Sequence, residues 1–297
     1  MQIKKAFQKA VQRLEQAEIP QSELEVSLLL SHALKMKRTA VLLAGETVLN
    51  DAQLEIFEKN VSRRVTREPL AYITGEKEFW SLPFMVTSDV LIPRPETEFL
   101  LEKTLEGLKS SARSPAQTVR ILDLGTGSGV LAIVLALELA TVQVTALDYS
   151  FNALKVARHN AKKHKVAENI NFINCDWFDC ISSQTEFDIV ISNPPYIAEE
   201  VLAKPFNSTP GSLQPEVGYF EPRLALDGGE RGTREISRIA AALKKVLKPC
   251  GLFFMEIGGD QQEEVMDIFK RTAAYDSIEI FNDYAGLPRV FKARKKG

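Results

Sequence analysis

Residues 119–139 constrain the fold more than any other stretch. Val119–Leu122 reads as a strand, and it passes directly into Asp123-Leu124-Gly125-Thr126-Gly127-Ser128-Gly129. Beyond that, the almost wholly apolar Gly129–Leu139 reads as a helix. Closely spaced glycines let a backbone turn sharply and approach a ligand, and the helix that follows turns its free NH groups toward an anion. The spacing is GxGxG, whereas a dinucleotide site needs GxGxxG. The expected anion is therefore the carboxylate of an amino-acid-like cofactor and not a pyrophosphate. Taken alone, such a turn is only moderately specific.

The same rhythm continues downstream. Strands are expected at 142–147, 170–174, 187–192 and 251–257, and helices at 152–164, 235–247 and 261–271. Two last strands, 277–281 and 289–293, have no helix between them. Alternation of this kind gives an α/β fold with a parallel sheet covered on both faces, and the final pair adds an antiparallel hairpin. Parallel strands end on one edge, where open α/β sheets bind ligands.

The first 70 residues have a different character. Ile3, Phe7, Ala10, Val11 and Leu14 recur at helical spacing, and Ser22 with Glu25 has the form of a capping box ahead of Val26–Leu34. A short helix is expected at 39–44, and Asn50 or Asp51 caps another with Leu54, Phe57, Val61 and Val65 inward. Residues 1–70 thus read as a small all-α domain. Arg63, Arg64 and Arg67 fit a solvated helix face better than a contact with an acidic partner. Aromatics and alternation from Tyr72 to Val86 suggest a β-hairpin, so 71–92 are taken as a bridge and 93–297 as the second domain. Pro93-Arg94-Pro95-Glu96-Thr97-Glu98 has the composition of a helix opening. The polar stretch 110–117 reads as an exposed loop. Residues 198–222 read as an irregular, proline-bearing connection, longer than ordinary ones and placed to cover a substrate.

Chemistry concentrates at the expected strand ends. Asp148 can accept from two ribose hydroxyls, or merely cap the next helix. Asp176-Trp177-Phe178 can border an adenine ring or belong to the core. After the strand 187–192 comes Asn193-Pro194-Pro195-Tyr196, in which the prolines forbid a smooth continuation into helix. Asn193 and the Pro194 carbonyl supply two acceptors for a planar NH2 group, and Tyr196 an aromatic face to cover it. An amide or an exocyclic amine suits such a pocket; a proline turn capping a strand is the plainer alternative.

Composition limits the partners. The 37 basic and 39 acidic residues give a net charge of -2, which does not point to a nucleic-acid binder. Val130–Ala140 contains Glu138 and is shorter than the ~20 residues of a membrane span. Met1-Gln2-Ile3-Lys4-Lys5 leads into an amphipathic helix, not a secretory segment. Cys175, Cys180 and Cys250 are best explained as buried thiols in a reducing cytosol, so a cytoplasmic location is expected. Two of the three histidines, His159 and His164, lie in a lysine-rich helical stretch, so no metal is expected.

Taken together, DLGTGSG, Asp148, NPPYI at 193–197, IPRPETE at 92–98, EPRLALDGG at 221–229, EIG at 256–258 and a late GLPRVF closely resemble the HemK (PrmC) family of S-adenosylmethionine-dependent protein glutamine N5-methyltransferases. The likeness runs over nearly the whole chain. It implies a Rossmann-like class I methyltransferase fold with a seven-stranded mixed sheet, a helical substrate-recognition domain before it, and methylation of the glutamine in the Gly-Gly-Gln motif of peptide chain release factors. On this resemblance Gly125, Thr126, Gly127, Ser128 and Gly129 bind the methionine portion of S-adenosylmethionine. Asp148 takes the ribose and Trp177 lies against the adenine. Asn193, Pro194, Pro195 and Tyr196 hold the glutamine amide, with Asn193 also touching the cofactor and Asn193, Pro194 and Tyr196 serving catalysis. Arg94, Glu96, Thr97 and Glu98 line or brace the site. S-adenosylhomocysteine is the second product, and a monomer without membrane or direct nucleic-acid contact is expected. NPPY alone is shared with amino-methylating DNA enzymes, so a ribosomal-protein glutamine and a DNA adenine stand as alternative substrates. The segment Glu230-Arg231-Gly232-Thr233-Arg234 departs from the family pattern and is expected outside the NPPY pocket.

Overall fold

The structure, a computed structural model, describes residues 1–110, 117–182, 184–206 and 212–297. The chain forms two compact units: Met1–Glu76 with Gln214–Phe220, and Lys77–Leu213 with Glu221–Gly297.

The first unit contains helices Ile3–Gln16, Ser22–Leu34, Arg38–Leu43, Asp51–Val65 and Leu70–Thr74. Ile3, Ala10 and Leu14 of the first helix meet Leu29 and Leu30 of the second and Phe57 and Val61 of the fourth in one core. Asn50 forms a capping box with Gln53. The box expected at Ser22 and Glu25 is absent. Gln21 holds the cap position in a left-handed conformation, and the Ser22 hydroxyl donates back to the Ile19 carbonyl at 2.7 Å. Residues 70–74 are helical, where the alternation suggested the start of a hairpin; Gly75, at φ +75°, ends that helix.

The three arginines do not form a solvated face. Arg63 pairs with Glu68, and Arg67 reaches Glu216 at 3.2 Å. Arg64, only 4% exposed, is held by Glu25 and, at 3.0 Å, by Glu216 on the short helix Pro215–Phe220. Their carboxylate partners lie as far as 152 residues away, beyond what helix spacing can reveal.

The second unit opens with a two-stranded hairpin, β1 (Glu76–Phe79) and β2 (Leu82–Met85). Its two turn residues, Trp80 and Ser81, both have positive φ, as the right-handed strand twist demands of a two-residue turn. The main sheet comprises β3 (Val119–Leu124), β4 (Val142–Asp148), β5 (Ile170–Asn174), β6 (Phe187–Ser192), β7 (Leu247–Glu256), β8 (Tyr275–Asn282) and β9 (Pro288–Lys295), in the order 5-4-3-6-7-9-8. Strands β3 to β7 are parallel, and β9 pairs antiparallel with both β7 and β8.

Period-two alternation divides the strand side chains between two faces. Ile121, Ile189, Ile191 and Phe254 pack with the helices Pro95–Ser110 and Val130–Glu138. Leu122, Leu124, Val190, Phe253 and Met255 pack with Arg234–Leu243 and Gln262–Arg271. Burial on both faces explains the nearly continuous apolar strands of the sequence.

Ser110 closes its helix, and the rest of the loop expected at 110–117 lies, but for Gln117, outside the described residues. The connection 198–222, of which 207–211 lie outside the described residues, is not wholly irregular. It carries the helices Glu199–Leu202 and Pro215–Phe220. Among the described residues no helix is long and apolar enough to cross a membrane.

Candidate active site

Because β3 neighbours both β4 and β6, the chain leaves the sheet in opposite directions on either side of β3, and a crevice opens at the carboxyl ends of these strands. A cavity of about 600 Å³ lies there. It falls within the roughly 300–1,000 Å³ of small-molecule sites. Gly125, Thr126, Gly127 and Ser128 after β3, Asp148 at the end of β4, Trp177 after β5 and Asn193 after β6 all line it.

Gly125 and Gly127 hold φ of +72° and +55°, a backbone that side chains rarely adopt. The turn is braced from both sides. The Gly125 and Thr126 NH groups donate to the Leu147 carbonyl, and the Gly127 NH donates to Asp148 Oδ2 at 2.8 Å. The other Asp148 oxygen accepts from the Ser150 NH at 2.8 Å. Both Asp148 oxygens are thus fixed by backbone and keep lone pairs for hydroxyl donors. Asn160, fully buried, bonds Ser128 and both backbone groups of Met85, which ties the glycine turn to β2.

Trp177 has φ +45°, and its indole NH donates to Glu235 Oε2 at 2.7 Å. Arg238 pairs with both Glu235 and Asp176, so the indole is held edge-on from the helix Arg234–Leu243. Cys175 and Cys180 are joined in a disulfide that closes a short loop around Trp177, with Cα atoms 6.0 Å apart, and Cys250 is exposed. The expectation of three buried thiols is therefore wrong: the turn after β5 brings the two sulfurs together, and Cys250 sits on the surface.

Asn193 follows β6 beside the glycine turn, because Ser192 pairs with Leu124 in parallel register. Its Nδ2 donates to the Thr97 hydroxyl at 3.1 Å, and that hydroxyl donates to Glu256 Oε2 at 2.7 Å. Tyr196 OH donates to Glu256 Oε1 at 3.0 Å. Burial pushes the Tyr196 phenol well above its ordinary range, and the Glu256 charge adds to this, so Tyr196 keeps its proton. The Tyr196 carbonyl accepts from Gln261 Nε2, and Ile197 exchanges backbone bonds with Leu226 and Gly228. Residues 226–228 thereby strap the NPPYI segment in place.

Not every expected residue meets the cavity. Pro195 and Thr97 line it; Gly129, Pro194, Tyr196, Arg94, Glu96 and Glu98 do not. Arg94 pairs with buried Glu221, Glu98 accepts from the Trp80 NH at 2.7 Å, and Glu96 is exposed. These three are therefore not lining residues; Arg94 and Glu98 brace neighbouring backbone. The segment 230–234 is not outside the pocket: Arg234 lines the cavity, and the Gly232 carbonyl shares Gln261 with Tyr196. Glu256, Asn160, Glu235 and Gln261 escaped the sequence reading. Glu256 had two visible signals, its place in the EIG motif at 256–258 and its being a lone carboxylate in the otherwise apolar run Gly251–Ile257, but neither assigned it a site role.

Asp123 begins the glycine turn and is fully buried, with Oδ2 taking the Thr126 hydroxyl at 2.6 Å and Oδ1 unpartnered. Burial raises its pKa from 3.8 to about 7, against the pull of Thr126 and with the help of the Asp148 charge. A carboxyl raised in the folded state stabilises fully below its unfolded pKa and loses that contribution as pH rises through its folded value. Between pH 5.5 and 8 the wild-type protein should therefore lose stability relative to Asp123→Asn, checked by urea unfolding of both at the two pH values. Parallel stability curves would refute this.

The cavity suits a ligand with an amino-acid end and a nucleoside end. The glycine turn and the start of the helix Val130–Glu138 line it together with the Asp148 carboxylate and the Trp177 indole. Comparison with known proteins agrees. The PrmC N-terminal domain model matches residues 5–75 and the methyltransferase domain model residues 116–282. A methyltransferase from Pyrococcus furiosus, 18% identical, superposes with a TM-score of 0.51 over 81% of this chain and 99% of its own, which supports the fold alone. The release factor glutamine methyltransferase of Nitratidesulfovibrio vulgaris is 39% identical, covering 96% of this chain and 92% of its own. That of Escherichia coli is 36% identical, covering 99% of each. A likeness of this depth over both units shows that the chain belongs to the release factor glutamine methyltransferase family.

Proposed function

We propose that this protein methylates N5 of the glutamine in the Gly-Gly-Gln motif of peptide chain release factors, with S-adenosylmethionine as methyl donor. The observation that carries this reading is the Asn193 carboxamide, fixed by Thr97 in the lining of the same cavity as the glycine turn and Asp148. S-adenosylmethionine supplies the electrophilic methyl group when bound. Gly125, Thr126, Gly127 and Ser128 would receive its amino-acid end, Asp148 its ribose and Trp177 its adenine.

An amide nitrogen is a weak nucleophile because its lone pair is delocalised into the carbonyl. Asn193 Oδ1 and the Pro194 carbonyl accept the two N–H bonds of the substrate amide, align its nitrogen with the methyl group and stabilise the positive charge that grows there. Tyr196, which does not line the cavity, acts from behind it: its hydroxyl on Glu256 holds the turn that presents Asn193. As the N–C bond forms the methyl–sulfur bond breaks and S-adenosylhomocysteine leaves; the nitrogen becomes acidic only then and gives its proton to water, so no strong base is needed beforehand.

The enzyme is taken to act as a monomer. The helical unit serves as the recognition module for the protein substrate. A cytoplasmic location follows from a substrate that works in translation, since the Cys175–Cys180 bond removes the argument from free thiols.

The test is to incubate the protein with methyl-labelled S-adenosylmethionine and, separately, a purified release factor, the same factor with its motif glutamine changed to alanine, ribosomal proteins and duplex DNA. Label is expected only on the unaltered release factor. Label on ribosomal protein or DNA in its place would overturn the assignment.

A further inference from the structure

We propose that Glu256 is a positioning residue, which sets the orientation of the Asn193 carboxamide through the hydroxyl of Thr97. The proposal rests on the reading of Asn193 as the amide-holding group.

An amide side chain can be turned by half a rotation with little change of shape, and only its neighbours decide which end faces the substrate. Asn193 with its NH2 toward the substrate would oppose donors to donors. With Oδ1 toward the substrate it accepts, as the chemistry requires. Parallel register makes the decision possible: Ser192 pairs with Met255, so Glu256 runs alongside Asn193 at the ends of β6 and β7.

A carboxylate only accepts hydrogen bonds. The Thr97 hydrogen is therefore committed to Glu256 Oε2 at 2.7 Å, and Thr97 Oγ1 is left with lone pairs alone. Asn193 meets those lone pairs with Nδ2 at 3.1 Å, which leaves Oδ1 for the ligand. The second Glu256 oxygen is occupied by the Tyr196 hydroxyl, so the carboxylate fixes both side chains that flank the two prolines. Glu256 is 1% and Thr97 3% exposed, so no bulk water offers either an alternative partner.

Thr97 lies in the first turn of the helix Pro95–Ser110, whose positive end favours a carboxylate, and the Arg289 charge acts on Glu256 as well. Burial nonetheless pushes the Glu256 carboxyl up, against the two hydroxyls and Arg289. The test is accordingly run at about pH 8, where ionisation is favoured.

Steady-state methylation of a release factor is compared for the wild type, Glu256→Met, Glu256→Gln, Thr97→Val and Thr97→Ser, with S-adenosylhomocysteine affinity measured by calorimetry on the same samples. Glu256→Met frees the Thr97 hydrogen to turn toward Asn193 Oδ1, so kcat should fall about tenfold or more while the affinity stays within about twofold. Thr97→Val should fall to a similar degree, and Thr97→Ser should recover most of that loss.

Glu256→Gln keeps the shape but forces one of the two hydroxyls to reverse, and should fall between wild type and Glu256→Met. Because Glu256 acts through Thr97, the double variant Glu256→Met/Thr97→Val should be no slower than the slower single variant by more than about threefold. Unchanged kcat in Glu256→Met, an equal loss of kcat and product affinity, or multiplication of the two single effects would each overturn the relay. Absence of turnover by the wild type would fail the functional reading itself, and is distinguished because every variant is referred to wild-type turnover on the same substrate.

Discussion

Asn193→Ala should lower kcat for release-factor methylation by about a thousandfold, close to 4 kcal/mol of barrier, while S-adenosylhomocysteine affinity changes by no more than about twofold. The two effects separate because Asn193 acts on the attacking nitrogen, and the cofactor end of the cavity is held by other residues. Gly125 is braced by the Leu147 carbonyl and the Asp148 carboxylate by the Gly127 and Ser150 NH groups, and Asn193 takes part in none of these bonds. Truncation removes an acceptor that matters most as charge develops, so the loss belongs in kcat more than in KM. Asn193→Asp is the informative companion. It keeps an acceptor oxygen but loses the NH2 that meets Thr97, and it sets a second carboxylate near Glu256. Its kcat should also fall, with a recovery at low pH that Asn193→Ala lacks. Calorimetry with S-adenosylhomocysteine and steady-state kinetics on one preparation decide the matter. An equal loss of binding and turnover in Asn193→Ala would mean that Asn193 only supports the fold.

The sequence made the main sheet legible because its signals are local. Glycine spacing after Leu122 and apolar runs of strand length place β3 to β6 within a residue or two of where they lie. The missing helix between β8 and β9 announced their antiparallel pairing. The cavity-lining residues after β3, β4, β5 and β6 were legible for the same reason: each follows directly from a strand end, and parallel strands deliver their ends to one edge.

What escaped depends on contacts between distant segments. Glu256 looks like the end of an apolar strand until register brings it beside Asn193 and the first turn of a helix 159 residues earlier. Asn160 looks like a polar residue in a lysine-rich helix, yet it bonds Met85 and Ser128 from within the core. The disulfide was hidden because a five-residue separation matches no familiar pairing and the count of cysteines is odd. Arg94, Glu96, Thr97 and Glu98 were expected to line or brace the site, and they divide: Thr97 lines the cavity, Arg94 and Glu98 brace neighbouring backbone, and Glu96 is exposed. A motif shared along a chain says nothing about which of its alternating side chains turn inward, and only Thr97 does so fully.

Arg64 is the same lesson in the helical unit, and it carries the largest stability effect expected outside the site. Three carboxyl or carbonyl partners converge on its guanidinium: both oxygens of Glu25, Glu216 Oε1 at 3.0 and 3.1 Å, and the Glu68 carbonyl at 3.4 Å. Burying such a group is costly, and the pairing roughly offsets that cost without adding a large net gain. Removing one side only is different. Arg64→Ala would leave Glu25 with no cation among these contacts, and Glu216 with Arg67 alone. The expected loss is about 3–5 kcal/mol, the range for breaking a buried pair by one partner. Because the second unit has its own core, the loss should be local. Hydrogen exchange on the full chain should show amide protection falling in the helices Ser22–Leu34 and Asp51–Val65, with β3 and β6 unchanged. Arg64→Met combined with Glu25→Met should recover a substantial part of that protection, since it removes both buried charges and refills the volume. If Arg64→Ala leaves exchange in those two helices as it is in the wild type, the guanidinium is solvated in solution and the buried cluster does not hold the unit together.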